Sequence, residues 1–297
     1  MTAPDLFDRQ LLRLRRERAA HRGDAPDFLL RRAAEEMADR LRVVKRDFAP
    51  VLTIGAAPGL LGEALRGLGG DGARVEMTAS PALLPPAGQG MALCGDEEAL
   101  PFKDASLGLV VSGLTLQLAN DLPGALVQIR RALKPDGLFL GAVLGGRTLT
   151  ELRDAFITAE TEQEGGASPR VMPMADIRDY GALMQRAGFA LPVVDADPVT
   201  VTYASPLGLL RDLRGMGATN ALISRRKTFL RRATLARAME IYQGRYASER
   251  GRVKASFEII YLAGWGPHES QQKPLKPGSA AARLADALGV EEHRLKR

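Results

Sequence analysis

The chain has 297 residues, 45% hydrophobic and 26% charged, which places it among ordinary globular proteins of one or two domains with a sizeable core. Its single cysteine, Cys94, rules out an intramolecular disulfide and suits a reducing compartment, and no apolar run is long enough to cross a bilayer. The formal charge of +6 is unevenly spread: residues 1–46 hold twelve Lys/Arg against eight Asp/Glu, and Arg225 to Arg237 hold six cations and no acid. Helices are expected over 9–22 and 27–44, separated by Gly23-Asp24-Ala25-Pro26 and capped by Asp24 and Asp27. Val51 to Ile54 reads as a short buried strand running into Gly55-Ala56-Ala57-Pro58-Gly59, followed by a helix over 60–68 that stops at Gly69-Gly70. A strand over 74–78, a Pro-rich loop over 80–90 and a third strand over 90–94 come next, which makes Cys94 an inert core thiol on this reading.

From Gly95 to Gly146 the pattern is clearest. It comprises an acidic loop, a strand apolar on both faces (107–112), an amphipathic helix (122–133), a Lys134-Pro135-Asp136-Gly137 turn, and a second buried strand (138–144). Strands apolar on both faces with a helix between them imply a parallel sheet covered by helices. The proline is expected to stop the helix and Gly137 to supply a positive-φ turn. A helix over 148–164 closed by Gly165-Gly166, a helix over 176–187, and a strand over 193–203 follow. Helix is expected from Pro206 to about Tyr246 with a break at Gly215-Met216-Gly217, then a last strand over 256–263. The fold class is therefore α/β, a doubly wound and mostly parallel sheet. The organisation is a basic helical arm (1–46), a sheet domain (47–270) with a helical insertion at about 205–250 that would cap the site, and a loose basic tail (271–297).

The acidic loop, strand, helix and "LKPDG" turn resemble the second half of a class I S-adenosylmethionine (SAM) dependent methyltransferase, which implies a seven-stranded sheet and SAM as cofactor. Ligands in such sheets sit at the carboxyl ends of the strands, where glycine lets the backbone bend and approach closely. The family pattern is acid, apolar residue, Gly-x-Gly-x-Gly, with an acid ending the second strand to hold the ribose. Here Gly55 and Gly59 remain, Thr53 and Ala57 replace the first acid and the middle glycine, and Thr78 replaces the ribose acid unless Glu76 takes its place. The resemblance assigns Asp96, beside Glu97, to the adenine amine and adds Ser112 to the pocket. Each lost contact costs on the order of 1–2 kcal/mol, so the site is a weakened one.

Further segments extend the resemblance to the mitochondrial complex I assembly factor 5 family and its alphaproteobacterial relatives. They are Phe7-Asp8-Arg9, Asn120-Asp121-Leu122-Pro123, Gly145-Gly146-Arg147-Thr148-Leu149 with Glu151-Leu152-Arg153, and Ala159-Glu160-Thr161-Glu162. Glu164-Gly165-Gly166 with Ser168-Pro169, Asp212-Leu213 with Gly215-Met216-Gly217, Phe257-Glu258-Ile259-Ile260-Tyr261 with Gly264-Trp265, and His268-Glu269-Ser270 complete the set. The biotin-pathway malonyl-carrier methyltransferases share the N-terminal half. The resemblance implies hydroxylation of an arginine on a complex I subunit, with Arg147, Thr148, Glu151, Arg153, Glu160 and Glu164 facing the substrate. Carboxylates at helical spacing suit a guanidinium, and they equally suit an exposed helix with internal charge pairs. Gly108 and Gln117-Leu118 depart from the family's acid and His-Trp pair.

The three histidines, His21, His268 and His293, do not form a metal site on this reading. The basic runs are solvated helix faces or a surface for an anionic partner such as a membrane; without interleaved aromatics they do not favour nucleic acid. Asp5, Asp8 and Glu17 argue against a presequence, so a cytoplasmic location is expected, with peripheral membrane contact as an option. Two readings stay open: a SAM-binding enzyme acting on a protein side chain, and a catalytically silent scaffold of the same fold.

Overall fold

The computed structural model describes residues 5–23, 25–57, 59–85 and 90–272. The expected cap at Asp24, Pro58, part of the Pro-rich loop and all but 271–272 of the tail lie outside them. The chain divides into two units after Pro267, and the N-terminal arm belongs to the first.

Seven strands form one sheet in the order β3-β2-β1-β4-β5-β7-β6. These are β1 (Val51–Gly55), β2 (Arg74–Thr78), β3 (Met91–Cys94), β4 (Leu107–Gly113), β5 (Leu133–Leu144), β6 (Ala190–Tyr203) and β7 (Val253–Trp265). The first five run parallel, while β7 inserts antiparallel between β5 and β6. Side chains alternate across the sheet as the two-residue strand period demands. Val51, Leu109, Val111, Leu138 and Leu140 face α2 (Phe28–Arg42), α3 (Leu60–Ala64), α5 (Thr150–Glu164), α7 (Pro206–Gly215) and α8 (Arg232–Tyr246). Leu52, Ile54, Val110, Phe139 and Val143 face α4 (Leu122–Ala132) and α6 (Ile177–Arg186). Burying both faces is what made the central strands read as continuous apolar runs.

Several boundaries differ from the sequence expectation. The helix after β1 is one short turn, Leu60–Ala64. The Lys134–Gly137 turn lies inside β5, and the positive φ belongs to Asp136 (58°), not Gly137. Gly137 is required for space instead, because a Cβ there would sit 2.9 Å from Lys134 O and 3.0 Å from Gly108 O. Cys94 is exposed, not core, because β3 is the sheet's edge strand and Met91, Ala92 and Cys94 are all open to solvent. The region between α7 and α8 is a long non-helical segment bridged to the N-terminus at Phe7–Leu222, so the insertion is only partly helical.

The segment from Arg225 to Arg237 is also less bare than its composition. Arg225 bonds Asp8 (3.1 Å), Arg226 bonds Glu164, and Arg237 bonds Glu162 (2.6 Å). Acids from elsewhere in the chain neutralise half of its six cations, and most of them sit on a loop rather than a helix face.

Candidate functional site

The carboxyl ends of β1, β2, β3 and β4 are overlaid by α1 (Arg9–Ala20), whose inward stripe is Arg9, Leu12, Arg16 and Ala19, residues at helical spacing. Arg9 reaches into the acidic loop after β3. Its Nη2 lies 2.8 Å from Asp96 and 3.2 Å from Glu97, and its Nη1 lies 2.5 Å from Glu98. Burial opposes the Arg9 charge, but Glu97, Asp96 and Glu98 outweigh it and hold its pKa above the ordinary value. Two turns on, Glu17 accepts a 2.5 Å hydrogen bond from Ser80 Oγ, at the loop after β2. The arm therefore bridges the two loops that would flank a nucleoside.

Beneath the arm, Thr78 is buried and its Oγ1 donates to Ser80 O (2.9 Å). Ser112 is fully buried, with its Oγ 3.3 Å from Thr115 Oγ1. Asp96 Oδ1 accepts from Arg9 and from the Glu98 N–H (2.8 Å), and Oδ2 has no bond among the described residues. Glu76 does not reach this loop. It sits in register with Thr53, and its carboxylate accepts the Gly59 N–H at 2.8 Å. Burial raises the Glu76 pKa, and the Gly59 bond partly offsets the rise. The anchor that the pattern places at position 53 is thus supplied from the neighbouring strand. Gly59 turns the chain at φ 71°, which favours glycine. A Cβ at Gly108 would strike the Phe48 carbonyl, so that departure has a steric cause and leaves no room for an acid.

A cavity of about 400 Å³ opens beside this cluster. Its floor is Ala56 and Ala57 from the β1 turn and Gly113 and Leu114 from the end of β4; Leu29, Leu30, Met172 and Met216 supply apolar wall. Arg16 and Gln117 add polar groups inside, and Asp27, Arg31 and Glu63 stand nearer the rim. Of the residues expected to hold a cofactor, Ala57 lines this space, whereas Gly55, Gly59, Thr78, Asp96, Glu97 and Ser112 do not. The Gly215-Met216-Gly217 segment closes one side. A Cβ on Gly215 would meet Pro26 Cδ at 2.6 Å, and one on Gly217 would meet Arg16 Cα at 2.9 Å, so both glycines exist to let this loop touch the arm.

The residues expected to face a substrate are placed differently from one another. Glu151 accepts from Ser256 N (3.1 Å) and Ser256 Oγ (2.5 Å), and Thr148 exchanges bonds with the Glu258 backbone. Glu160 is fully buried and takes Ser168 and the Arg170 guanidinium. Glu164 takes Thr234 Oγ1 (2.7 Å) and Arg226, and those bonds lower its pKa. Two segments that carried the resemblance, 145–153 and 256–261, are thus each other's partners. Arg147 is exposed, and Arg153 lines a second recess of about 510 Å³ with Phe156, Ile157, Pro173 and Met174. Met174 borders both spaces. Sequence reading missed Arg16 and the cavity role of Gln117. The seven-residue spacing from Arg9 to Arg16, which puts both on one helix face, was the available signal. Among the described residues no group of three His, Cys, Asp or Glu is arranged to hold a metal ion, and no helix is long and apolar enough to cross a membrane.

The sheet order, the single antiparallel strand β7 and a cavity at the strand ends define the class I SAM-dependent methyltransferase fold. A methyltransferase-domain family model matches residues 52–141. Two solved structures share the fold: the YcgJ protein of Bacillus subtilis (14% identity, TM-score 0.55, 80% of this chain and 99% of that one) and a putative methyltransferase of Bacillus halodurans (15%, 0.54, 79% and 99%). Among curated proteins, arginine-hydroxylase NDUFAF5 of Danio rerio is 40% identical over 95% of this chain and 89% of its own. The Homo sapiens protein of that name is 38% identical over 95% and 83%. A malonyl-[acyl-carrier protein] O-methyltransferase of Halorhodospira halophila is 36% identical over 97% of both chains. The chain belongs to the methyltransferase-fold family that contains the NDUFAF5 arginine hydroxylases and these O-methyltransferases.

Proposed function

We propose that this chain binds SAM and modifies a protein side chain, an arginine of a respiratory complex I subunit, in the manner of an assembly factor at the cytoplasmic side of a membrane. The observation that carries the reading is likeness to the arginine hydroxylases over almost the whole chain, including the cap and β7, well beyond the methyltransferase core. The site is compatible with the cofactor. The turn at Gly55 and Gly59 is intact with Glu76 as its anchor, Asp96 Oδ2 can accept, and the cavity over Ala56 and Ala57 can take the thioether end. When bound, SAM would supply an electrophilic methyl on its sulfonium; the residues around it would contribute proximity and exclusion of water.

We assign the acceptor to the recess of Arg153, Phe156 and Met174, since Met174 borders both that recess and the cavity. Glu151, Glu160 and Glu164 then shape α5 behind that recess rather than touch substrate directly. The malonyl-carrier relatives support a second reading, methyl transfer to a carboxylate on a carrier protein, which an arginine-free substrate would reveal. The test is incubation of the purified protein with SAM and recombinant complex I subunits, then peptide mass spectrometry. Gain of one methyl on an arginine supports the proposal, as does gain of one oxygen in a parallel incubation supplied with dioxygen and an electron donor, both of which hydroxylation consumes. SAM binding with every arginine unchanged, yet stable capture of a subunit, supports the silent scaffold instead.

A further inference from the structure

The cavity beneath the arm contains two polar groups whose hydrogen-bonding capacity is unmet. Gln117 is 8% exposed, its Nε2 donates to Leu114 O at 2.8 Å, and its Oε1 has no partner. The bond to Leu114 fixes which end of the amide carries the oxygen. A buried acceptor without a donor is uncommon in a folded protein and marks a place where a ligand or water supplies one. Arg16 also lines the cavity. No described residue pairs with its guanidinium, because Arg9 already occupies Asp96, Glu97 and Glu98. Burial depresses the Arg16 pKa, the charge of Glu97 opposing and that of Arg9 adding to the effect. Gly217 holds the cap against the Arg16 backbone, where a Cβ would stand 2.9 Å from Cα and 3.0 Å from N.

The other charged groups of the cavity are spoken for or peripheral. Arg31 is tied to Asp27 at 2.6 Å, and Glu63 is exposed at the mouth. One half-buried donor cation and one buried neutral acceptor remain. A simple monoanion would satisfy Arg16 and leave Gln117 Oε1 orphaned; a simple cation would be repelled by Arg16. A zwitterion carrying a carboxylate and an ammonium group satisfies both. The floor of the cavity is the β1 turn and the end of β4, with no side chain larger than a methyl at Ala56, Ala57 and Gly113.

We propose that Arg16 and Gln117 hold an α-amino acid group at this floor, Arg16 taking the carboxylate and Gln117 Oε1 the ammonium. The group is that of the S-adenosyl ligand, so the assignment rests on the SAM reading above and specifies which side chains grip its amino-acid end. The arm is therefore part of the binding site. A chain lacking α1 would keep the glycine turn and lose the carboxylate clamp.

The test compares S-adenosylhomocysteine, which has the amino-acid end, with methylthioadenosine, which lacks it, by calorimetric titration of the full-length protein. Wild type should prefer the homocysteine compound, and Arg16→Met should weaken that compound by about tenfold to a hundredfold, the value of one charge-assisted pair. Methylthioadenosine should bind wild type and Arg16→Met alike, which also certifies that the variant is folded. Arg16→Lys should recover part of the loss, and Gln117→Leu should weaken the homocysteine compound alone. Equal binding of S-adenosylhomocysteine by wild type and Arg16→Met overturns the assignment while leaving the SAM reading intact. Binding of neither compound to wild type overturns both. Free methionine binding as tightly as S-adenosylhomocysteine would also overturn it, since the group would then belong to an amino-acid substrate.

Discussion

Removing the Arg9 side chain tests whether the arm is held by charge or by packing. The guanidinium side chain is 22% exposed and faces Glu97 at 5%, Glu98 at 23% and Asp96 at 51%. Breaking a fully buried pair costs about 3–5 kcal/mol, mostly from the stranded partner. Asp96 is half in water and can rehydrate, so its share is discounted to the surface value of under about 1 kcal/mol. Glu97 cannot rehydrate without movement, and Arg16 offers it a second cation nearby. The expected cost of Arg9→Ala is therefore about 2 kcal/mol, with a further loss avoided when Glu97 is also neutralised. Denaturant melts of wild type, Arg9→Ala, Glu97→Gln and the double variant give the coupling directly. A coupling of about 1–2 kcal/mol, accompanied by faster proteolysis at Arg13 or Arg15 in both single variants, is expected. Additivity within about 0.5 kcal/mol would show that Leu12 and Ala19 hold the arm and that the charges are incidental.

Four other substitutions test the strand ends and the helical insertion. Thr53→Asp should cost about 3 kcal/mol because it sets a buried carboxylate beside Glu76, and Thr53→Asp with Glu76→Gln should recover most of that in a thermal melt. Gly217→Ala, at φ 67° and against the Arg16 backbone, should cost about 2–4 kcal/mol, whereas Gly244→Ala, in the last turn of α8 with nothing within 4 Å, should stabilise by about 0.5–1 kcal/mol. The folded Glu76 pKa lies above its ordinary 4.5, so the native state binds that proton more tightly than the unfolded chain. The stabilising effect is complete below the ordinary value and is lost as pH rises through the folded one. Glu76→Gln should therefore gain on wild type in melting temperature as pH rises above the ordinary 4.5, and a constant difference would refute the shift.

The sheet was legible because buried parallel strands leave an apolar run that few other structures require, and because Gly165 and Gly188 end their helices at positive φ as expected. What was not legible depends on contacts distant in sequence. Cys94 looks like a core thiol until β3 proves to be an edge. The carboxylates of α5 look exposed until Ser256, Arg170 and Arg226 arrive from elsewhere in the chain. Thr53 reads as a lost anchor because register with Glu76 cannot be read from either strand alone. In the site, the glycine turn was readable and the arm's role was not: a basic helix can be solvated or folded down onto acids with the same local composition. Arg9 took the second course.

The most direct measurement is calorimetric titration of the wild-type protein with SAM and with S-adenosylhomocysteine at neutral pH. The site described here, with its turn anchored by Glu76 and its cavity floored by Ala57, predicts one saturable site per chain for both compounds, weakened by Asp96→Ala. Absence of heat with either ligand at millimolar concentration, on protein whose melt shows it folded, would contradict the account.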